Sequence, residues 1–221
     1  MRFLGLDGYR KGWVAVTIDD ANQYIDYPRS FSEALCIPHD RAMVDMPIGI
    51  PQTGHRSCDL QGKKLLSRAS SRLFTGARRA LFEFTNPVDA NLWAQANNEK
   101  GVSRQLFGIL PKIKEVDALM SRERQITVME THPELVFARL NSGQPLLDNK
   151  KSQSGIDQRI ELLVSSGFRD IHRWLGERPP YVKSDDLLDA CACAVAARQP
   201  SGRIHKHPEA DQKGLRMEIW F

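Results

Sequence analysis

Five carboxylates in this sequence sit at the edge of apolar runs: Asp7, Asp45, Glu130, Asp186 and Asp189. Asp7 closes Phe3-Leu4-Gly5-Leu6, Asp45 follows Ala42-Met43-Val44, and Glu130 follows Val128-Met129. Asp186 and Asp189 belong to Ser184-Asp185-Asp186-Leu187-Leu188-Asp189-Ala190. A carboxylate at the end of an apolar strand is partly desolvated, which a fold tolerates mainly when the charge meets a cation or a base. Hard oxygen donors of this kind suit Mg²⁺ or Mn²⁺, and two such ions about 3.5–4 Å apart can activate water and stabilise a leaving oxygen. The expected chemistry is therefore metal-dependent phosphodiester cleavage, with these five acids as the catalytic set.

A nucleic-acid substrate needs cations as well. Between Arg56 and Arg79 the chain carries Arg56, Lys63, Lys64, Arg68, Arg72, Arg78 and Arg79 against the single acid Asp59. Such a local excess suits a polyanion, although a basic run is more often a solvated helix face. Arg56, Lys63, Lys64, Lys112 and Lys150 are the candidate substrate-binding residues. The acids also have plainer readings. Asp185 and Asp186 complement the positive end of a helix dipole, worth only about 0.3–1 kcal/mol, and a strand acid such as Asp45 can simply bond neighbouring backbone.

Because the acids are far apart in sequence, secondary structure must gather them. After Asp7-Gly8, the β-branched run Trp13–Ile18, the turn residues Asp19-Asp20-Ala21-Asn22 and Gln23–Tyr27 predict a hairpin. A short helix over Phe31–Leu35, capped by Ser30 or Ser32, and a strand over Arg41–Asp45 follow. This order is the opening of a ribonuclease H-like mixed sheet, in which the first and fourth strands are parallel neighbours and hold Asp7 and Asp45 side by side. Residues from about 56 to 122 are mainly helical, punctuated by Gly76, Pro87, Gly101 and Pro111, and form an insertion. Gln125–Glu130 resumes the sheet. Thr131-His132-Pro133-Glu134 has capping-box spacing, which explains Glu134 as a cap. Further helices are expected from Gly155 to Ser166 and, with Ser184 as cap, to Arg198, with Arg178-Pro179-Pro180-Tyr181 as an extended linker. The segment Gly214–Phe221 is either an edge strand or a packed tail. In the last helix Asp186 and Asp189, three apart, share one side, and the small residues Ala190 to Ala197 allow close approach to the sheet.

Composition bounds the answer. At 221 residues the chain fits one α/β domain, residues 1–221, with its helical insertion. Hydrophobic content of 41%, charged content of 26% and a net charge of +4 are those of a globular protein. No apolar run approaches the ~20 residues of a membrane span, and Asp7 interrupts any signal-peptide core, so a cytoplasmic location is expected. The four cysteines lack C-x-x-C spacing and read as free thiols, and no histidine cluster suggests zinc.

Five segments also resemble a known family: Gly5-Leu6-Asp7-Gly8 with Gly12-Trp13-Val14, Val44-Asp45-Met46-Pro47-Ile48-Gly49, Pro111-Lys112-Ile113-Lys114-Glu115-Val116-Asp117, Glu130-Thr131-His132-Pro133-Glu134, and Asp185-Asp186-Leu187-Leu188-Asp189-Ala190. They are similar, over nearly the whole chain, to a bacterial and archaeal family of unassigned role regarded as predicted nucleases of the ribonuclease H-like superfamily. Asp186 and Asp189 look like the metal-binding pair on the closing helix of Holliday-junction resolvases, and Asp7 resembles their first-strand aspartate. The resemblance implies Asp7, Asp45, Asp186 and Asp189 as ligands of Mg²⁺ or Mn²⁺. Glu130 has no resolvase counterpart, and is either an extra ligand or an orienting partner of Lys112, Lys150 or His132. Two other functions compete with the nuclease: a non-catalytic nucleic-acid-binding module on the same fold, and an actin-like or sugar-kinase-type ATPase, whose second core and glycine-rich adenosine loop the sequence lacks.

Overall fold

The computed structural model describes residues 1–221. Strands β1 (Phe3–Tyr9), β2 (Gly12–Ile18) and β3 (Gln23–Asp26) form an antiparallel meander. Strand β4 (Arg41–Val44) then returns parallel to β1, and β5 (Val128–Glu130) lies parallel to β4, giving the order β3-β2-β1-β4-β5. Helix α1 (Phe31–Leu35) makes the crossover to β4, and the Ser30 hydroxyl caps it by accepting from the Glu33 amide. The result is an α/β fold whose mixed five-stranded sheet carries helices on both faces.

Alternation along the strands divides the core in two. Leu4, Leu6, Trp13, Ala15, Ala42, Val44 and Val128 face α1 together with α3 (Pro87–Ala96) and α4 (Arg104–Leu119). Phe3, Val14, Val16, Met43 and Met129 face α5 (Pro133–Leu140), α6 (Gln153–Ser165), α7 (Ile171–Glu177) and α8 (Ser184–Arg198). A smaller cluster joins α2 (Ser57–Leu66) to Leu135 of α5 and to the C-terminal residues Met217 and Ile219. The helical insertion thus supplies most of one core layer, through the α4 stripe Leu106, Leu110, Ile113 and Val116. No helix is long and apolar enough to cross a membrane.

The contact that matters most for the site is α8 against β1. A β-carbon on Gly5 would stand 2.2 Å from both the Ala190 carbonyl oxygen and the Ala194 amide nitrogen. Strand and helix backbones therefore touch at this point, and the alanine and cysteine run Ala190–Ala197, all buried, is what lets them do so.

Several local expectations are corrected. Pro111 does not end a helix; α4 runs through it, because the proline is exposed and water can reach the carbonyl its missing N–H leaves unpaired. The strand expected from Gln125 begins instead with a 3₁₀ turn over Arg124–Ile126. Residues Arg178–Tyr181 bend, with the Val182 amide donating to the Pro179 carbonyl, so they are not an extended linker. Ser184 is the first helical residue and not the cap; the cap residue is Lys183, whose amide donates to the Asp186 carboxylate at 2.9 Å. The tail packs along β5 through isolated bridges, Trp220 donating to the Glu130 carbonyl, without forming a regular edge strand.

Candidate active site

Register brings the first two acids together. Leu6 pairs with Val44 across β1 and β4, so the next residues, Asp7 and Asp45, lie side by side on the face covered by α8. Each is close enough to bear on the protonation of the other. From above, α8 brings Asp186 in its first turn and Asp189 one turn later. Asp7 and Asp189 are only 6% and 3% exposed, so their charges are poorly hydrated.

The electrostatics follow. Burial, then Asp45, Asp189 and Asp186, push the Asp7 carboxyl well above the ordinary aspartate value. Burial and Asp189 push Asp45 up to about 7, so near neutral pH the pair readily shares a proton. Asp189 is raised by burial despite a cationic neighbour, and Asp186 is raised by burial although the Lys183 amide pulls it back.

That neighbour is Lys150, whose ammonium donates to Asp189 Oδ2 at 2.6 Å and stands 3.6 Å from Asp185. Burial disfavours its charge, but Asp189 and Asp7 outweigh burial and hold the ammonium above the usual lysine value. Lys150 is therefore the one cation in salt-bridge contact with a group of five aspartates, counting Asp185. The other oxygen of Asp189, Oδ1, is buried with no hydrogen-bond partner. No three of the acidic, histidine or cysteine side chains are drawn together at the spacing of a metal-ligand set.

Glu130 lines the same cleft but does not join the aspartate cluster through its strand neighbours, and the reason is register. It pairs with Val44, not Asp45, so its side chain leaves the sheet on the opposite face from Asp7 and Asp45. There Arg56 grips it at 2.6 and 2.7 Å, and the Ile48 amide donates to it at 2.7 Å. Burial pushes the Glu130 carboxyl up, yet the guanidinium cannot give up its proton, and the pair is ionic. The expected partners Lys112, Lys150 and His132 are not the ones used.

Arg56 is likewise corrected as a substrate-binding residue: it is fully buried, held between Glu130 and Asp59. Lys112 pairs with Glu115 at 3.0 Å, lies over the Trp13 ring and does not line the cleft that holds the acids. Lys63 and Lys64 sit on α2 and do not line the cleft that holds the acids, whereas Lys150 does.

Sequence reasoning missed the support behind Lys150. Glu134 is not a capping residue; His132 occupies that position without a side-chain cap. Instead Glu134 binds Arg159 and Arg72, at 2.6 and 2.7 Å, and those two cations hold its carboxyl below the ordinary value against the effect of burial. Arg72 in turn donates to the carbonyls of Leu146, Leu147 and Asp148, each at 2.8 Å. It clamps the loop that presents Lys150. His132, facing the Arg72 backbone, is driven by burial down to about 4 and stays neutral, its Nδ1 unpaired. The basic run from Arg56 to Arg79 hinted at function, but it could not tell Arg72, a clamp, from Lys64, a surface charge.

Arg72→Ala is expected to destabilise the fold by about 2 kcal/mol, since bonds to a charged donor are worth about 1.5–3 kcal/mol. Amide exchange across residues 146–152 should accelerate selectively. Unchanged exchange there would mean the loop is held by something else.

The acids open into a cleft of about 640 Å³. Asp7, Asp45, Asp186 and Asp189 form its floor; Arg72, Leu73 and Phe74 flank it on one segment, Leu147, Asn149, Lys150 and Lys151 on another, and Gln105, Leu106 and Ile109 of α4 on a third. Met46 and Pro47 form the rim beside Asp45, and Gly49 (φ 74°) turns the chain immediately after it.

Neither a curated protein nor a solved structure matches the chain. A family model matches residues 5–213, a span that includes both strand aspartates, the Lys150 loop and the Asp186/Asp189 pair of α8. The chain therefore belongs to the family described as "Protein of unknown function (DUF429)".

Proposed function

We propose that this protein is a Mg²⁺- or Mn²⁺-dependent nuclease that hydrolyses phosphodiester bonds, acts in the cytoplasm, and has a ribonuclease H-like fold. One observation carries the reading: carboxylates from β1, β4 and α8 line one cleft, raised by burial and mutual repulsion, with a single ammonium in salt-bridge contact with them. A site with that excess of hard, poorly hydrated oxygens gains most from a divalent cation.

The donor set fits such an ion in kind. Asp7, Asp45 and Asp189, joined by Asp186, would hold it, and the unpartnered Oδ1 of Asp189 is free to serve. A divalent ion bound there supplies activation of water and charge stabilisation at the departing oxygen. The chain's own residues do the rest. Asp7 and Asp45 hold a proton between them when uncharged by other partners, and Lys150 neutralises Asp189 and offers a cation to a phosphate at the same mouth. Asp186 is partly committed to the Lys183 amide, which makes it the weakest of the four donors.

A second reading is favoured by the bond between Lys150 and Asp189. In a non-catalytic nucleic-acid-binding module, the lysine would stand permanently where a cation is needed. Isothermal titration of Mn²⁺ into wild type and Asp189→Asn separates the two. A nuclease should bind Mn²⁺ in a carboxylate-dependent way, with the variant weakened at least roughly tenfold, as ligand-supporting changes commonly do. No binding by wild type leaves the module.

A further inference from the structure

Resting on the nuclease reading, we infer that the cleft takes its nucleic acid as a single strand, with one base stacked on Phe74, and excludes an intact duplex. Size comes first. A cleft of about 640 Å³ matches the ~300–1,000 Å³ that engulf one drug-sized molecule, room for a nucleotide or two. Asp7 and Asp189 lie nearly buried in this cleft, whose other lining comes from segments 71–74, 105–109 and 147–151. A phosphodiester reaches that floor only on a strand thin enough to enter.

The lining agrees. Duplex binding relies on many phosphate contacts, yet of the cations at this cleft Arg72 is spent on Glu134 and three carbonyls, and Lys150 on Asp189. Lys151 alone is exposed and makes no ion pair. In place of a cationic track, the cleft exposes apolar side chains: Phe74 at 37% and Leu147 at 56%. An exposed aromatic beside a recessed acidic floor is a stacking platform, which binds single strands with little regard to sequence because every base has a π-face.

Fluorescence anisotropy with a labelled 12-nucleotide strand, alone or in a blunt duplex, tests this in Ca²⁺ buffer, and Mn²⁺ buffer reads cleavage of the same probes. The single strand should bind at least roughly tenfold more tightly than the duplex and be cut preferentially. Phe74→Ala should weaken single-strand binding roughly fivefold to a hundredfold. Phe74→Trp should retain it, and Lys151→Ala should lower the salt slope by about one unit. Equal or tighter duplex binding, or Phe74→Ala binding like wild type, overturns the inference. If that happens while Mn²⁺-dependent cleavage persists, the nuclease reading survives alone; if neither probe is bound or cut, both fall.

Discussion

Asp7→Asn should abolish metal-dependent cleavage while raising thermal stability. The activity loss is expected to be on the order of 10²–10³-fold or more, the scale seen when one preorganised charge-stabilising group is removed. The stability gain has the opposite origin. Asp7 is buried against Asp45, Asp189 and Asp186, and burial with these three outweighs the help of Lys150, so its charge works against the fold. An asparagine of the same shape removes that repulsion and offers an N–H to Asp45. A gain on the order of 2 kcal/mol would raise the midpoint by roughly 4–8 °C for a chain of this size. Cleavage at the wild-type rate would remove Asp7 from the chemistry, and a lower midpoint would mean the acid supports the fold.

Asp45→Asn gives the same result a pH signature, measured with EDTA present. The folded pKa of Asp45 is raised to about 7 from an ordinary 3.8, so the native state binds the proton more tightly than the unfolded chain. The cost of this group is therefore full above pH 7 and fades as pH falls toward 4. The variant's stability advantage should be largest above pH 7 and shrink through that window. His132 acts in the other direction and is common to both proteins: buried neutral with its pKa at about 4, it lowers stability as pH falls below about 6.5, where the unfolded imidazole protonates.

Gly5→Ala should be the most damaging small substitution in the sheet. Its new methyl would lie 2.2 Å from two backbone atoms of α8, and no side-chain truncation can relieve a clash with backbone. Strand or helix must shift. Overpacking of this kind costs about 1–3 kcal/mol or more, here at the upper end, lowering the midpoint by roughly 6–12 °C. Because α8 carries Asp186 and Asp189, cleavage should fall with it. Gly108→Ala is the matched control, since a β-carbon there meets nothing within 4 Å on exposed α4 and should stabilise by about 0.5–1 kcal/mol. Equal midpoints for the two variants would mean that α8 does not rest on β1.

Much of the architecture was legible because it depends on local patterns. Short continuous apolar runs marked β1, β2 and β4, and the small-residue run after Asp189 pointed to a helix pressed on the sheet. Placing Asp7 beside Asp45 needed only the assumption of parallel neighbours, and Asp189 needed only helical spacing. The misreadings share a cause. Thr131-His132-Pro133-Glu134 fits a capping box in any peptide, and only the arrival of Arg72 from the insertion and Arg159 from α6 turned Glu134 into an ion-pair hub.

Sequence alone, then, determined which residues could carry charge at strand and helix ends, because burial of an acid can be read from its apolar neighbours. What only the tertiary structure decided was the company each charge keeps. Glu130 and Asp45 look alike in sequence, yet a one-residue offset in register sends one to buried Arg56 and the other to Asp7. The same holds for the cations: Arg56, Arg72 and Lys150 differ in role through which long-range acceptor each one meets. Electrostatic interactions fall off with distance in space, and distance in space between remote segments is a property of the fold.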